Sequence, residues 1–188
     1  MTSSYRVRVL YDEAAIARRN EEMAQAIVQT CSPNLLVVAV LKGSFMFAAD
    51  LIRALHRQGL APQVEFVHLS SYRAATVSSG QVSILRDVET NVKGREVLLV
   101  DDILESGRTL AFAKDLLMAR GAGRVYAAVL LEKPGKRAVD VKADFVGFSC
   151  PDVFVVGYGM DVAHNYRQLP FVGVVAHGDT EPDLFGGT

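Results

Sequence analysis

The sequence predicts an α/β protein with a doubly wound, mostly parallel sheet. Three observations predict it. Residues 35–40, 96–100 and 125–131 are runs dominated by apolar residues, the composition of strands buried on both faces of a parallel sheet. Segments with helical apolar spacing separate such runs, and strand–helix alternation gives an open sheet covered on both sides. Gly59 and Gly121 stand where the intervening helices should stop, the position at which glycine tolerates a left-handed backbone.

In chain order, residues 5–10 (YRVRVL) alternate polar and apolar and read as a short strand. Asp12 caps a helix whose inner face carries Ile16, Met23, Ala24 and Ile27. The apolar run at 35–40 follows and breaks at Lys42-Gly43. Ser44 is placed to cap a second helix bearing Phe47, Leu51, Ile52 and Leu55. Residues 63–69 form the next strand. Residues 70–80 (SSYRAATVSSG) are small and hydroxylated; they read as a mobile loop, one side of a hairpin arm returning along residues 81–85. A buried strand over 96–100 precedes residues 101–108. A helix with Leu110, Ala113 and Leu117 inward comes next, then the strand at 125–131. Shorter strands near 144–148, 153–157 and 171–175 are expected to cap the sheet. With no repeat or linker, residues 1–188 form one domain, its small hood made mainly by residues 132–188 and the N-terminal segment.

The 188 residues suffice to bury roughly 70% of the unfolded chain's surface, so the core needs no metal or disulfide. Twenty basic against 21 acidic side chains give a net charge of −1, which argues against a strongly basic nucleic-acid binder. Cys31 and Cys150 form no CxxC and have no histidine at ligand spacing, so they read as reduced thiols. The N-terminal residues hold no signal-peptide core. The seven apolar residues of 35–41 fall far short of the roughly 20 that cross a bilayer. A cytoplasmic protein is expected.

The chemistry concentrates in VLLVDDILESGRTL, residues 97–110. A buried strand delivers Asp101 and Asp102 to its carboxyl end, where open α/β sheets bind ligands. A loop with Ser106, Gly107 and Thr109 then opens a helix. The free N–H groups of that helix start, with the hydroxyls, suit a phosphate, and the helix dipole adds about 0.3–1 kcal/mol. Two acids beside a phosphate would repel it unless they face sugar hydroxyls or magnesium. A phosphorylated sugar with a metal is the ligand this predicts. A helix merely capped by acids is the plain alternative. The nucleotide-triphosphatase pattern GxxxxGK[ST] is missing, and neither Gly121-Ala-Gly123 nor Gly157-Tyr-Gly159 extends to GxGxxG.

This stretch resembles the phosphoribosyl-diphosphate (PRPP) signature of the type I phosphoribosyltransferases. Three further segments resemble the family's hypoxanthine-guanine branch: LKGSFMF at 41–47, SSYRAATVSSG at 70–80, and FVGFSCPDVFVVGYGMD at 145–161 with YRQLPFVGVV after it. They span nearly the whole chain in the family's order. The resemblance implies a type I phosphoribosyltransferase core and transfer of the phosphoribosyl group of PRPP to a 6-oxopurine, in purine salvage. It implies that Asp101 and Asp102 face the ribose hydroxyls and the magnesium-bound substrate. Glu105, Ser106, Gly107, Arg108 and Thr109 would hold the 5-phosphate. Leu41, Lys42 and Gly43 would form the diphosphate loop, with the peptide before the lysine commonly cis. Ser71 and Tyr72 would begin the loop that closes over the diphosphate and excludes water.

By the same resemblance, Lys133 donates to the purine 6-oxygen, which disfavours adenine, whose 6-amino group is itself a donor. Phe154 stacks on the base and Val155 offers backbone to its edge. Asp161 is a further Mg2+ ligand beside Asp101 and Asp102, and Arg167 contacts diphosphate. Dimers or tetramers of like chains are implied too. One position departs from the family pattern: an aspartate, the proton acceptor near N7, is replaced by Glu105. The carboxylate is kept and the reach lengthened by one methylene. A positioned base is worth about 10²–10⁴-fold, so this position bears on rate more than on PRPP binding. The competing expectation is a PRPP-sensing regulator that binds nucleic acid through the same core. It would need a basic face, and only short pairs such as Arg18-Arg19 and Lys136-Arg137 occur. Residues 177–188 read as a polar tail.

Overall fold

The computed structural model describes residues 6–71 and 82–176. Tyr72, most of the expected mobile loop and the polar tail lie outside the described residues. In chain order the elements are β1 (Arg6–Tyr11), α1 (Glu13–Thr30), β2 (Leu36–Leu41), α2 (Phe45–Arg57), β3 (Gln63–Ser71) and β4 (Val82–Arg86). Then come β5 (Glu96–Leu104), α3 (Arg108–Ala119), β6 (Arg124–Glu132), β7 (Phe145–Ser149), β8 (Val155–Val156) and β9 (Val172–Ala176).

Among the described residues, six strands form one sheet in the order β4-β3-β2-β5-β6-β7. All neighbours are parallel except β4, which returns antiparallel along β3 as the hairpin reading expects. Alternating residues of the central strands face two cores. Val37, Ala39, Leu98 and Val100 pack with Ile16, Ile27, Phe47 and Leu51 of α1 and α2. Leu36, Val38, Val40, Val97 and Leu99 pack with Leu110, Ala113 and Leu117 of α3. Strands buried on both sides cannot show a polar face, which is why they read as unbroken apolar runs. The sheet is doubly wound and mostly parallel. Apart from it, β1, β9 and β8 make a three-stranded antiparallel sheet.

Three local differences from the sequence reading have physical causes. The strand expected to end at Val100 continues four residues to Leu104, because its ladder with β6 persists through Asp101↔Val129, Ile103↔Leu131 and Leu104↔Glu132. The paired acids therefore sit on a ladder rather than in a loop. The Ser44 hydroxyl does not cap α2; it donates to the Val40 carbonyl at 2.5 Å, tying the helix start to the end of β2. Strand β7 is no part of a cap, since it extends the main sheet parallel to β6. The aspartate cap stands as expected, with Asp12 Oδ1 accepting from the Ala15 N–H at 2.7 Å.

Candidate active site

The carboxyl ends of β2, β5 and β6 bring three of the motif segments to one end of the sheet. Asp101 is 6% exposed, and its Oδ1 accepts from the Asp102 N–H at 2.9 Å. Asp102 Oδ1 accepts from the Ile103 N–H at 2.8 Å. Burial, and next the Asp102 charge, push the Asp101 carboxyl well above its usual range. Asp102 is also raised by burial, against a lowering by its hydrogen bonds and by the Arg167 guanidinium. A buried pair of acids in this state calls for a cation or hydroxyl donors. No group of three histidine, cysteine or carboxylate side chains suited to a metal occurs among the described residues. That donor set fits magnesium, which keeps substrate oxygens and water and takes one or two carboxylates from protein.

Asp102 also explains Gly43. A Cβ built on Gly43 would lie 1.8 Å from Asp102 Oδ2, so the carboxylate occupies the space that any other residue would need. The peptide between Leu41 and Lys42 is cis, as the resemblance implies, and Lys42 is exposed at the turn into α2. Gly159 closes on this loop from the other side, where its Cβ would meet the Gly43 carbonyl at 2.2 Å. Arg167 Nη1 donates to the Gly159 carbonyl at 2.6 Å, and Nη2 pairs with Asp161 Oδ1 at 2.7 Å. Asp161 Oδ2 accepts from the His164 N–H at 2.8 Å. Residues 157–167 thus fold as one unit against the diphosphate-like turn.

Beyond β5 the chain turns through Glu105 and Ser106 into α3. Gly107 caps the helix with φ +80, a left-handed conformation that costs glycine little. Its missing Cβ also matters, because one would meet Val141 Cγ1 at 2.5 Å. Gly107 offers no side-chain cap and the first turn of α3 holds no acid; the Ser106 hydroxyl reaches the Arg108 N–H at 3.4 Å, and the remaining N–H groups of the turn face the loop for an anion. Arg108 is exposed and Thr109 half-buried in that first turn.

Lys133 follows β6 and is 5% exposed. Its Nζ lies 3.5 Å from Glu105 Oε1, so the ladder's end juxtaposes the expected base-reading cation and the expected proton acceptor. Nearby Cys150 is buried; burial raises its thiol pKa, which the Lys133 charge partly opposes. Phe154 is 49% exposed and belongs to neither core cluster. Val155 is buried and pairs with Val174 in the smaller sheet. Ser71 ends β3, its backbone opposite Val82.

Sequence reasoning missed two residues around this site. Arg137, read only as half of a basic pair, reaches the carbonyls of Leu104 and Glu105. Tyr158 has φ +49 and is buried; its hydroxyl donates to Asp50 Oδ2 at 2.5 Å and accepts from Asn20 Nδ2 at 3.0 Å. Burial is the first cause that raises its phenol pKa, and the Asp50 hydrogen bond is the second.

A family model described as a phosphoribosyl transferase domain matches residues 7–163. The chain is 42% identical over 169 residues to a hypoxanthine-guanine phosphoribosyltransferase of Streptococcus agalactiae, covering 89% of this chain and 92% of that one. It is 41% identical over the same length and coverage to the Bacillus subtilis protein of that name. Among solved structures, a Bacillus anthracis hypoxanthine-guanine phosphoribosyltransferase superposes with a TM-score of 0.84 at 39% identity, covering 91% of this chain and all of that one.

Proposed function

The chain belongs to the phosphoribosyltransferase family, and from that premise we infer a purine-salvage enzyme acting on 6-oxopurines. It transfers the 5-phosphoribosyl group of PRPP to N9 of hypoxanthine or guanine and releases diphosphate. The bond from ribose C1 to diphosphate breaks, N9 bonds to C1, and the proton on N7 passes to a base. The observation that carries the reading is the buried Lys133 ammonium beside Glu105, at the strand ends next to the acid pair, in a chain about 40% identical to enzymes of this name. The regulator reading gains no support from these relatives.

In this reading the turn of Leu41, Lys42 and Gly43 receives diphosphate, with Lys42 and Arg167 offsetting its charge. The loop from Glu105 to Thr109 and the start of α3 hold the 5-phosphate. Asp101 and Asp102 orient the ribose hydroxyls. Phe154 stacks on the purine, the Val155 backbone meets its edge, and Lys133 donates to the 6-oxygen. Glu105 accepts the N7 proton. Ser71 and Tyr72 begin the closing segment. Asp101 and Asp102 would hold Mg2+, whose contribution is to neutralise the leaving diphosphate; Asp161, expected as a further ligand, pairs with Arg167 and joins no group of three with them among the described residues.

Residues 1–188 act as one domain with a hood over the base. The cytoplasm is the location proposed for the chain; separately, no helix among the described residues is long and apolar enough to cross a membrane. Exposed Phe45, Phe66, Ile84 and Leu85 supply apolar surface for pairing with a second copy into a dimer or tetramer. The test is stoichiometry. Diphosphate should appear one for one with nucleotide, and only when PRPP, magnesium and hypoxanthine or guanine are all present. Diphosphate released from PRPP without a base, or no release at all, would overturn the reading.

A further inference from the structure

The β5–β6 ladder ends at Leu104↔Glu132. One residue beyond it on each strand stand Glu105 and Lys133, where one further backbone hydrogen bond, from the Lys133 N–H to the Leu104 carbonyl, continues the pairing without fixing either side chain. Their relative placement nevertheless decides whether a base can be gripped at its 6-oxygen while its N7 proton is taken. A side chain that bonds the carbonyls of both segments would brace them further against each other.

Arg137 occupies that position. Its Nη1 donates to the Glu105 carbonyl at 2.7 Å and the Leu104 carbonyl at 3.0 Å, and lies 3.5 Å from the Lys133 carbonyl. Its Nη2 pairs with Glu132 Oε1 at 2.5 Å. One guanidinium thus spans the last residues of both strands and both site segments, with only 24% of its side chain exposed. The backbone adds two ties at the same place: the Lys133 N–H donates to the Leu104 carbonyl at 3.0 Å, and the Ala138 N–H to the Ser106 carbonyl at 2.9 Å. The segment that carries Arg137 also lies on the phosphate loop, since a Cβ on Gly107 would meet Arg137 Cδ at 3.5 Å beside Val139 and Val141.

We propose that Arg137 is a positioning residue of the base site: its guanidinium clamps the ends of β5 and β6 so that Glu105 and Lys133 meet the same purine. The proposal rests on the 6-oxopurine reading given above. A fan of carbonyls plus a carboxylate needs several donors in one rigid plane, which arginine has and lysine lacks. The neighbouring Lys136 does different work, pairing with Asp152 at 2.6 Å on the surface.

The test uses Arg137→Gln, Arg137→Lys and Arg137→Ala in the full chain, with the wild type as reference. Steady-state rates with hypoxanthine are measured beside direct calorimetric binding of PRPP with magnesium. A displacement near 1 Å costs about 10²-fold, so kcat/KM for hypoxanthine should fall by that order in the glutamine and alanine variants. The loss should fall more heavily on the base than on PRPP, because the Ala138 N–H to Ser106 carbonyl tie still holds the phosphate loop. Arginine-to-lysine should recover little, and free guanidinium ion at millimolar concentration should partly restore Arg137→Ala while leaving the wild type unaffected. A lysine variant as active as wild type, equal losses for base and PRPP, or no guanidinium rescue would overturn the assignment. The lysine variant still decides the matter if the glutamine and alanine substitutions fold poorly. A wild type that fails to convert hypoxanthine would overturn the 6-oxopurine reading instead, which separates the two failures.

Discussion

Replacing Gly43 by alanine puts a methyl group where the Asp102 carboxylate now lies. The new Cβ would stand 1.8 Å from Oδ2 and 2.6 Å from Cγ, against 3.4 Å for ordinary contact, so the carboxylate must retreat by roughly 1.6 Å. Its other oxygen is held by the Ile103 N–H, and that hydrogen bond is lost or bent in the process. The obstructing atom is the tip of a side chain that can turn aside, so overpacking falls near the low end of its usual range, about 1 kcal/mol. That corresponds to a fall of about 2–4 °C in Tm for a chain of this size. The catalytic effect is larger. Displacing an oriented carboxylate by more than 1 Å costs about 10²-fold, or about 2.7 kcal/mol of transition-state stabilisation. Hypoxanthine conversion with PRPP varied gives kcat/KM, and differential scanning fluorimetry gives Tm. The expected result is a small thermal shift with a hundredfold kinetic loss. Unchanged kinetics, or a loss no larger than the unfolded fraction explains, would refute the close-approach argument.

The remaining predictions concern the acids, the base-reading lysine and the buried tyrosine. Asp101 titrates above its ordinary 3.8 in the fold, so the stability it contributes is intact below that pH and is lost as pH rises through the raised value. In the absence of substrate, Asp101→Asn should therefore melt above wild type at neutral pH, by about 2–4 °C per kcal/mol relieved. The gap should close below pH 3.8; a variant that melts lower than wild type at neutral pH contradicts the sign. Lys133→Ala should raise KM for hypoxanthine and guanine and narrow the preference over adenine by at least about 10-fold, with PRPP affinity intact. Unaltered base kinetics would remove Lys133 from the site. Tyr158→Phe deletes a hydroxyl shared by Asp50 and Asn20 and should cost about 1–3 kcal/mol, read as a lower urea midpoint. An unmoved midpoint would show that those hydrogen bonds contribute nothing net.

How much of this was legible in the sequence depended on whether the relevant contacts were local. The buried strands β2 and β6 announced themselves because both faces are apolar, and α1 announced its start through Asp12. The tail of β5 did not, because Asp101 and Asp102 interrupt the apolar run while the ladder continues beneath them. Strand β7 is five residues long, and nothing local distinguishes an edge strand of the main sheet from a piece of the hood. The acid pair, the phosphate-like loop and Lys42-Gly43 were visible because their residues are contiguous. Arg137 was not, since Lys136 and Arg137 are neighbours of like charge and only the folded turn sends one inward and the other to Asp152. Tyr158 was hidden for a related reason: its partners Asp50 and Asn20 are more than a hundred residues away.

The most direct test of the account is a competition. The protein is given PRPP and magnesium with hypoxanthine and adenine in equal amounts, and the nucleotides formed are separated by chromatography. The account predicts inosine monophosphate with no adenosine monophosphate, because the buried Lys133 meets an acceptor in one base and a donor in the other. Adenosine monophosphate as the main product would contradict the lysine's role, and no nucleotide from either base would contradict the transfer itself.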